Sequence, residues 1–197
     1  MKKLLFLLLL INSISASTQT INETAQAFWE ATDSGNNPII VEKGERLIVL
    51  IEREKIEIDS TIIEIRFFTA NGYSSLGNYT RSLELNLQTL EIIEKVFGKD
   101  EVDYATSLNN IAFDYSNLGN YNKALDYNLL ALKLREKIFG KEHPDYAMSL
   151  NNIALNYSDL GDYNKALEYN LLALEIKEKV FGKEHPKYAL SLNNIAA

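Results

Sequence analysis

The chain has 197 residues, 20 of them basic and 27 acidic, a formal net charge of −7 and no cysteine. The lack of cysteine excludes thiol chemistry and cysteine metal ligands. Lys and Arg alternate with Glu and Asp along the chain, whereas a surface for nucleic-acid phosphates needs clustered basic residues. We therefore expect no nucleic-acid partner.

The first residues have the pattern of an export signal. Two lysines precede the apolar run Leu4 to Ile11, and small residues follow it up to Ser17. Eight apolar residues are far fewer than the roughly 20 that a membrane-spanning helix needs. We predict that residues 1–16 are a signal peptide cleaved after Ala16. The mature chain would then be exported to the periplasm, the cell surface or the medium, without membrane insertion.

The rest of the chain is built from a repeat of 42 residues. Segments 103–144 and 145–186 agree at 32 of 42 positions without a gap. Four glycines follow one another at the same step: Gly35, Gly77, Gly119 and Gly161. Self-similarity at this period is typical of solenoids, which offer long surfaces to partners rather than catalytic pockets.

One repeat predicts a pair of helices. Apolar and small residues recur at helical spacing over 104–118 and again over 121–138, and Gly119 separates the two runs. Gly140 suits a left-handed helix terminus, and Pro144 suits the first turn of the next helix. Such a hairpin cannot bury its apolar stripe alone, so we expect hairpins to stack.

The spacing of small and aromatic residues resembles the tetratricopeptide repeat. The positions are Ala112, Tyr115, Gly119, Tyr121, Ala124 and Ala131, repeated at Ala154, Tyr157, Gly161, Tyr163, Ala166 and Ala173. The segments 107–112 (Ser-Leu-Asn-Asn-Ile-Ala) and 139–144 (Phe-Gly-Lys-Glu-His-Pro) resemble the 42-residue kinesin light chain subtype. The resemblance implies an all-α fold, a right-handed α-solenoid of stacked helical hairpins. It implies a way of binding, and no motor.

The resemblance is close over 62–197 and loose over 21–61, which divides the chain into segments. After the signal we predict a divergent N-terminal hairpin at 17–60, three repeats at 61–102, 103–144 and 145–186, and the first helix of an incomplete repeat at 187–197. Phe28 occupies a position where a small residue is expected. Asn128 and Asn170 stand where the family usually has an aromatic residue, so we expect softer packing between hairpins there.

A second stripe on the first helix of each repeat is predicted to bind a partner. Its residues share a face largely distinct from the core stripe, and in tetratricopeptide proteins this stripe lines the concave groove. The residues are Thr106, Asn109, Asn110, Phe113 and Asn117, then Met148, Asn151, Asn152, Leu155 and Asp159, then Leu190, Asn193 and Asn194. Side-chain amides donate and accept together, which suits the backbone of an extended peptide. One Asn of each pair could instead bond a neighbouring helix.

We predict no catalytic residue, no metal and no cofactor. His143 and His185 are the two histidines, one in each connector, and equivalent points on successive hairpins are separated by roughly 8–10 Å or more. That separation is too large for a shared zinc ion. The chain contains no serine in a nucleophile elbow and no phosphate-loop spacing.

We interpret the chain as an exported scaffold that binds a protein or peptide ligand and is not an enzyme. The alternative is the N-terminal recognition or sensor arm of a larger enzyme or receptor, such as a histidine kinase or a caspase-like protease. A third hypothesis is self-association through the unfinished C-terminal hairpin, whose apolar stripe includes Leu192 and Ile195.

Overall fold

The computed structural model describes the backbone of residues 16–196 and the side chains of 19–193 and 195. Within that range the chain forms nine helices and no strand. They are α1 (Ala16–Ser34), α2 (Asn37–Arg53), α3 (Ser60–Ser75), α4 (Tyr79–Val96), α5 (Val102–Asn117), α6 (Tyr121–Phe139), α7 (Pro144–Asp159), α8 (Tyr163–Phe181) and α9 (Pro186–Ala196). The prediction of an all-α solenoid of helical hairpins is confirmed. Residues 1–15 of the predicted export signal lie outside the described residues.

The chain divides into two compact units, Met1–Thr89 and Leu90–Ala197. In the first unit α2 packs against both α1 and α3. In the second unit α5, α6, α7 and α8 each pack against the helix that follows them in the chain. None of the described helices combines the length and apolar character that a bilayer-spanning helix requires.

The first unit contains an aromatic cluster of Phe28, Trp29 and the exposed Phe68. Phe28 is fully buried, and its ring lies 4.9 Å from the ring of Trp29 and 6.5 Å from that of Phe68. All three pairs in the cluster meet edge to face, an arrangement that aromatic rings prefer. The large residue at position 28 is therefore accommodated in the hydrophobic core of the first unit.

Helices α2 and α3 approach each other most tightly at Gly44. A Cβ atom added to Gly44 would lie 1.9 Å from Oγ1 of Thr69 and 2.9 Å from its Cβ. The Thr69 hydroxyl is buried and donates to the carbonyl of Ile65 at 2.6 Å. The absence of a side chain at position 44 thus sets the distance between the two helices.

In the second unit the predicted small residues lie at the helix contacts. Ala112, Ala124 and Ala131 are fully buried, and so is Ala173, the repeat equivalent of Ala131. The helices predicted over 104–118 and 121–138 are observed as Val102–Asn117 and Tyr121–Phe139. Small side chains at these positions allow the two helices of a hairpin to pack closely.

The connector after α6 ends that helix and starts the next. Gly140 has φ 81° and ψ 171°, so φ is positive as predicted, but the residue is extended rather than left-handed helical. This backbone region is essentially restricted to glycine. Pro144 opens α7, as the sequence predicts.

The histidines of the connectors act as helix caps. The Nδ1 atom of His143 accepts a hydrogen bond from the backbone N–H of Asp145 at 3.2 Å, and the imidazole stacks on Phe139 with a centroid distance of 4.3 Å. His185 repeats both contacts, with Lys187 and Phe181. Among residues 16–196 no group of three or more His, Asp or Glu side chains is arranged to hold a metal ion.

Candidate functional site

A cavity of about 440 Å³ lies between α5 and α7, with α6 beside it. We call it cleft 1. Its lining residues are Asn109, Ala112, Phe113, Ser116, Asn117, Tyr121, Asn128, Asn152, Leu155, Asn156 and Asp159. Six of these belong to the predicted stripe, namely Asn109, Phe113, Asn117, Asn152, Leu155 and Asp159. The structure therefore brings together predicted residues from two successive repeats.

A second cavity of about 630 Å³, which we call cleft 2, lies one repeat further along, between α7, α8 and α9. Asn151, Tyr163, Leu167, Asn170 and Ile195 are among its lining residues. Asn152 and Leu155 line both clefts. The two cavities are thus neighbours on either side of one turn of α7.

The remaining predicted residues lie outside both clefts. Thr106 is half-buried and its hydroxyl donates to the carbonyl of Val102 at 3.0 Å. Asn110 is half-buried, and Met148, Leu190 and Asn193 are exposed. The side chain of Asn194 lies outside the described residues.

Two large apolar side chains project at equivalent positions of successive repeats. Phe113 is 56% exposed and Leu155 is 59% exposed, and both line cleft 1. Exposed apolar surface beside polar groups is typical of ligand and partner sites.

Hydrogen bonds within the scaffold occupy much of the polar rim of cleft 1. The hydroxyl of Ser116 on α5 donates to Oδ2 of Asp159 on α7 at 3.0 Å. Nδ2 of Asn117 donates to the carbonyl of Phe113 at 2.9 Å. Of the described residues that line this cleft, only Asp159 carries a charge.

Beneath the cleft, three asparagines from three helices form a continuous chain of hydrogen bonds. Nδ2 of Asn109 donates to Oδ1 of Asn128 at 2.7 Å, and Nδ2 of Asn128 donates to Oδ1 of Asn156 at 2.6 Å. Asn128 is 4% exposed and Asn109 is 9% exposed. The Nδ2 atom of Asn109 therefore bonds a neighbouring helix, as the sequence analysis allowed for one Asn of each pair.

The next repeat contains the equivalent bond between two asparagines, but there a lysine also donates to the first asparagine. Nδ2 of Asn151 donates to Oδ1 of Asn170 at 3.0 Å. The ammonium of Lys177 donates to Oδ1 of Asn151 and to the hydroxyl of Ser191. Burial lowers the pKa of Lys177, because desolvation disfavours the ammonium, and nearby Lys187 adds to this effect. In the first copy Oδ1 of Asn109 is buried and accepts no hydrogen bond from a described residue.

Softer packing at Asn128 stays a prediction, but the structure shows how this side chain is held. The asparagine, at a position where the resemblance implied an aromatic residue, is buried with both ends of its amide bonded to neighbouring helices. Asn128, Asn156 and Asn170 were not among the predicted site residues. A polar residue in a buried register of a helix was the available signal, since a buried amide needs partners.

Comparison with known proteins agrees with this architecture. The tetratricopeptide repeat family model matches residues 69–128 and 103–179, which together span more than half of the chain. No curated protein sequence matches this chain.

Several solved structures have a similar fold. The crystal structure of BtubC (BKLC) from P. vanneervenii is 19% identical in sequence with a TM-score of 0.66, and the match covers 92% of this chain and 82% of the BtubC chain. A Podosopora anserina putative kinesin light chain with nearly identical TPR-like repeats is 19% identical over 93% of this chain and 86% of its own, with a TM-score of 0.73. The apo form of RapI is 20% identical with a TM-score of 0.72, and the match covers 88% of this chain and 47% of RapI.

At these identities the structural likeness establishes the fold alone. The family model and the helical hairpins both indicate tetratricopeptide repeats, and these repeats are similar to those of kinesin light chains. The chain belongs to the tetratricopeptide repeat family.

Proposed function

We propose that the protein is a binding scaffold and that clefts 1 and 2 hold an extended segment of a partner protein. One observation carries this proposal: the two cavities adjoin and share Asn152 and Leu155. A ligand that fills both would pass an exposed apolar side chain and a half-buried amide at their junction.

The energies favour apolar anchoring. Burial of a large apolar side chain contributes about 1.5–3 kcal/mol, whereas a neutral hydrogen bond contributes about 0.5–1.5 kcal/mol. Phe113 and Leu155 would therefore supply most of the affinity, and Asn152 would set the register of the peptide backbone. Since Asp159 is the charged residue of cleft 1, we expect ligands that are neutral or basic opposite it.

A displayed random-peptide library provides the test. Peptides selected on the full chain would be measured by fluorescence polarisation against Leu155→Ser and against Leu172→Ser. Both leucines are exposed, and Leu172 lines neither cleft. We expect Leu155→Ser to weaken binding by about tenfold or more, because it removes an anchor, while Leu172→Ser leaves the affinity unchanged. Equal affinity of the two variants would reject the clefts as the site.

We also propose that the protein acts outside the cytoplasm. The basic start, apolar run and small residues of 1–17 support this localisation. Mass spectrometry of the full chain produced in a bacterial host with an export pathway would test it. A mature N-terminus close to Ser17 in the exported fraction is expected. An intact Met1 in the cytoplasmic fraction would contradict it.

A further inference from the structure

A third cavity, separate from the two clefts, lies on α5 and α6. Its volume is about 760 Å³, and it shares no lining residue with cleft 1 or cleft 2. Tyr104 and Leu108 of α5 and Leu130 and Leu134 of α6 form its apolar lining. We call it the outer cavity. Small-molecule sites have volumes of about 300–1,000 Å³ and predominantly apolar linings with a few polar groups.

Both carboxylates of the outer cavity are already neutralised by lysines. The ammonium of Lys137 lies 2.6 Å from Oδ2 of Asp100. The ammonium of Lys141 lies 3.3 Å from Oε1 of Glu136. Both acidic residues therefore already have a lysine partner.

One lysine of the cavity keeps an uncompensated charge. Lys99 pairs with Glu94 at 2.8 Å. Lys133 lines the cavity and, among the described residues, has no carboxylate within 4.0 Å. The apolar surface thus borders a single positive charge without a partner.

The two near-identical repeats differ at this position in the sign of the charge. Lys133 corresponds to Glu175, and among the ten differences between 103–144 and 145–186 this is the one charge reversal. Glu175 pairs with Lys179 at 2.9 Å. The equivalent place in the second repeat therefore carries an acidic residue already in an ion pair.

We propose that the outer cavity binds a small amphiphilic anion. Its apolar body would lie on Leu108, Leu130 and Leu134, and its carboxylate or sulfonate group would pair with Lys133. The apolar body of such a ligand would cover the apolar lining of the cavity, and its anionic group would provide the negatively charged partner that Lys133 lacks.

Two fluorescent probes test the proposal on the full chain. Anilinonaphthalene sulfonate has an apolar ring system with one anionic group, and phenylnaphthylamine has the same rings without the charge. Titrations would compare the unaltered chain with Lys133→Glu and with the matched reversal Glu175→Lys. Both positions are exposed, so the fold is expected to remain intact, and circular dichroism melting would check this.

We expect Lys133→Glu to raise the Kd of the anionic probe by about fivefold, because an attractive pair becomes a repulsive one. Glu175→Lys would leave that Kd unchanged, and neither variant would affect the neutral probe. Methyl NMR of the leucines should show the shifts at Leu108, Leu130 and Leu134. An unchanged Kd in Lys133→Glu, or shifts restricted to Leu155 and its cleft, would overturn the proposal.

Discussion

Nδ2 of Asn128 donates to Oδ1 of Asn156 at 2.6 Å, and this bond joins the second helix of one repeat to the first helix of the next. The other end of the Asn128 amide accepts from Asn109 at 2.7 Å. One side chain thus connects three helices at the floor of cleft 1.

Replacing Asn128 with alanine should destabilise the second unit. The change leaves a donor on Asn109 and an acceptor on Asn156 buried without partners. We expect a loss of about 2–4 kcal/mol in the free energy of unfolding, measured by urea denaturation. The exposed Asn122 on the same helix provides the control, and Asn122→Ala should lose less than about 0.5 kcal/mol. Similar losses in the two variants would show that the chain of amides adds no stability.

Replacing Arg135 with lysine should stabilise the protein. Arg135 is the repeat equivalent of Lys177, but its guanidinium donates to the hydroxyl of Ser149 at 2.7 Å and to the carbonyl of Asp145. None of the described residues donates to Oδ1 of Asn109. A lysine at 135 could copy the bond that Lys177 makes, so we expect a gain of about 1 kcal/mol.

The reverse exchange, Lys177→Arg, is the control for Arg135→Lys. It should lower the melting temperature, since it withdraws the donor from Asn151. Differential scanning calorimetry of both variants measures the two shifts. A lower melting temperature for Arg135→Lys would mean that the lost bond to Asp145 matters more than the gained bond to Asn109.

Alanine at position 44 should destabilise the first unit. Although alanine favours a helix by about 1 kcal/mol over glycine, its Cβ would lie 1.9 Å from Oγ1 of Thr69. Overpacking of this kind costs about 1–3 kcal/mol, so we expect a net loss in thermal stability. Thr69→Ala should restore part of the stability lost in Gly44→Ala, because it removes the Oγ1 atom. The rescue is only partial because the Cβ of residue 69, at 2.9 Å, remains. The absence of any rescue would contradict a clash at this contact.

Alanine at position 143 should weaken the start of α7. The change removes both the acceptor for the Asp145 N–H and the ring that stacks on Phe139. We expect a loss of about 1–2 kcal/mol in guanidinium denaturation. An asparagine in place of the histidine would keep a capping oxygen without the ring, so His143→Asn should lose less. Equal losses in His143→Ala and His143→Asn would assign the whole effect to the stacking.

Local patterns were sufficient to predict the helices. Residues 104–118 and 121–138 were expected to be helical, and the observed bounds differ by only a few residues. Helix periodicity, a glycine with positive φ and a proline at a helix start all act within a few residues of the chain. The 42-residue repeat then implied stacked hairpins, because neither hairpin can bury its apolar stripe alone.

The hydrogen-bond partners of each amide depend on contacts between residues far apart in the chain, which local sequence patterns do not show. Asn109 and Asn110 are adjacent on one helix, and spacing alone could not show which of them meets a neighbouring helix. The structure places Asn128 within hydrogen-bonding distance of Asn109, through a contact between residues 19 positions apart. Arg135 and Lys177 occupy equivalent positions and donate to equivalent serines, Ser149 and Ser191, but Lys177 also donates to Asn151 whereas Arg135 donates to the carbonyl of Asp145.

The sequence by itself determined the helical hairpins and their repeated stacking, since both follow from interactions within or between near-identical units. Only the tertiary structure decided which polar side chains bond the scaffold and which line the clefts. The physical reason is that a buried hydrogen bond requires two groups within about 3 Å of each other, and helix packing alone sets that distance.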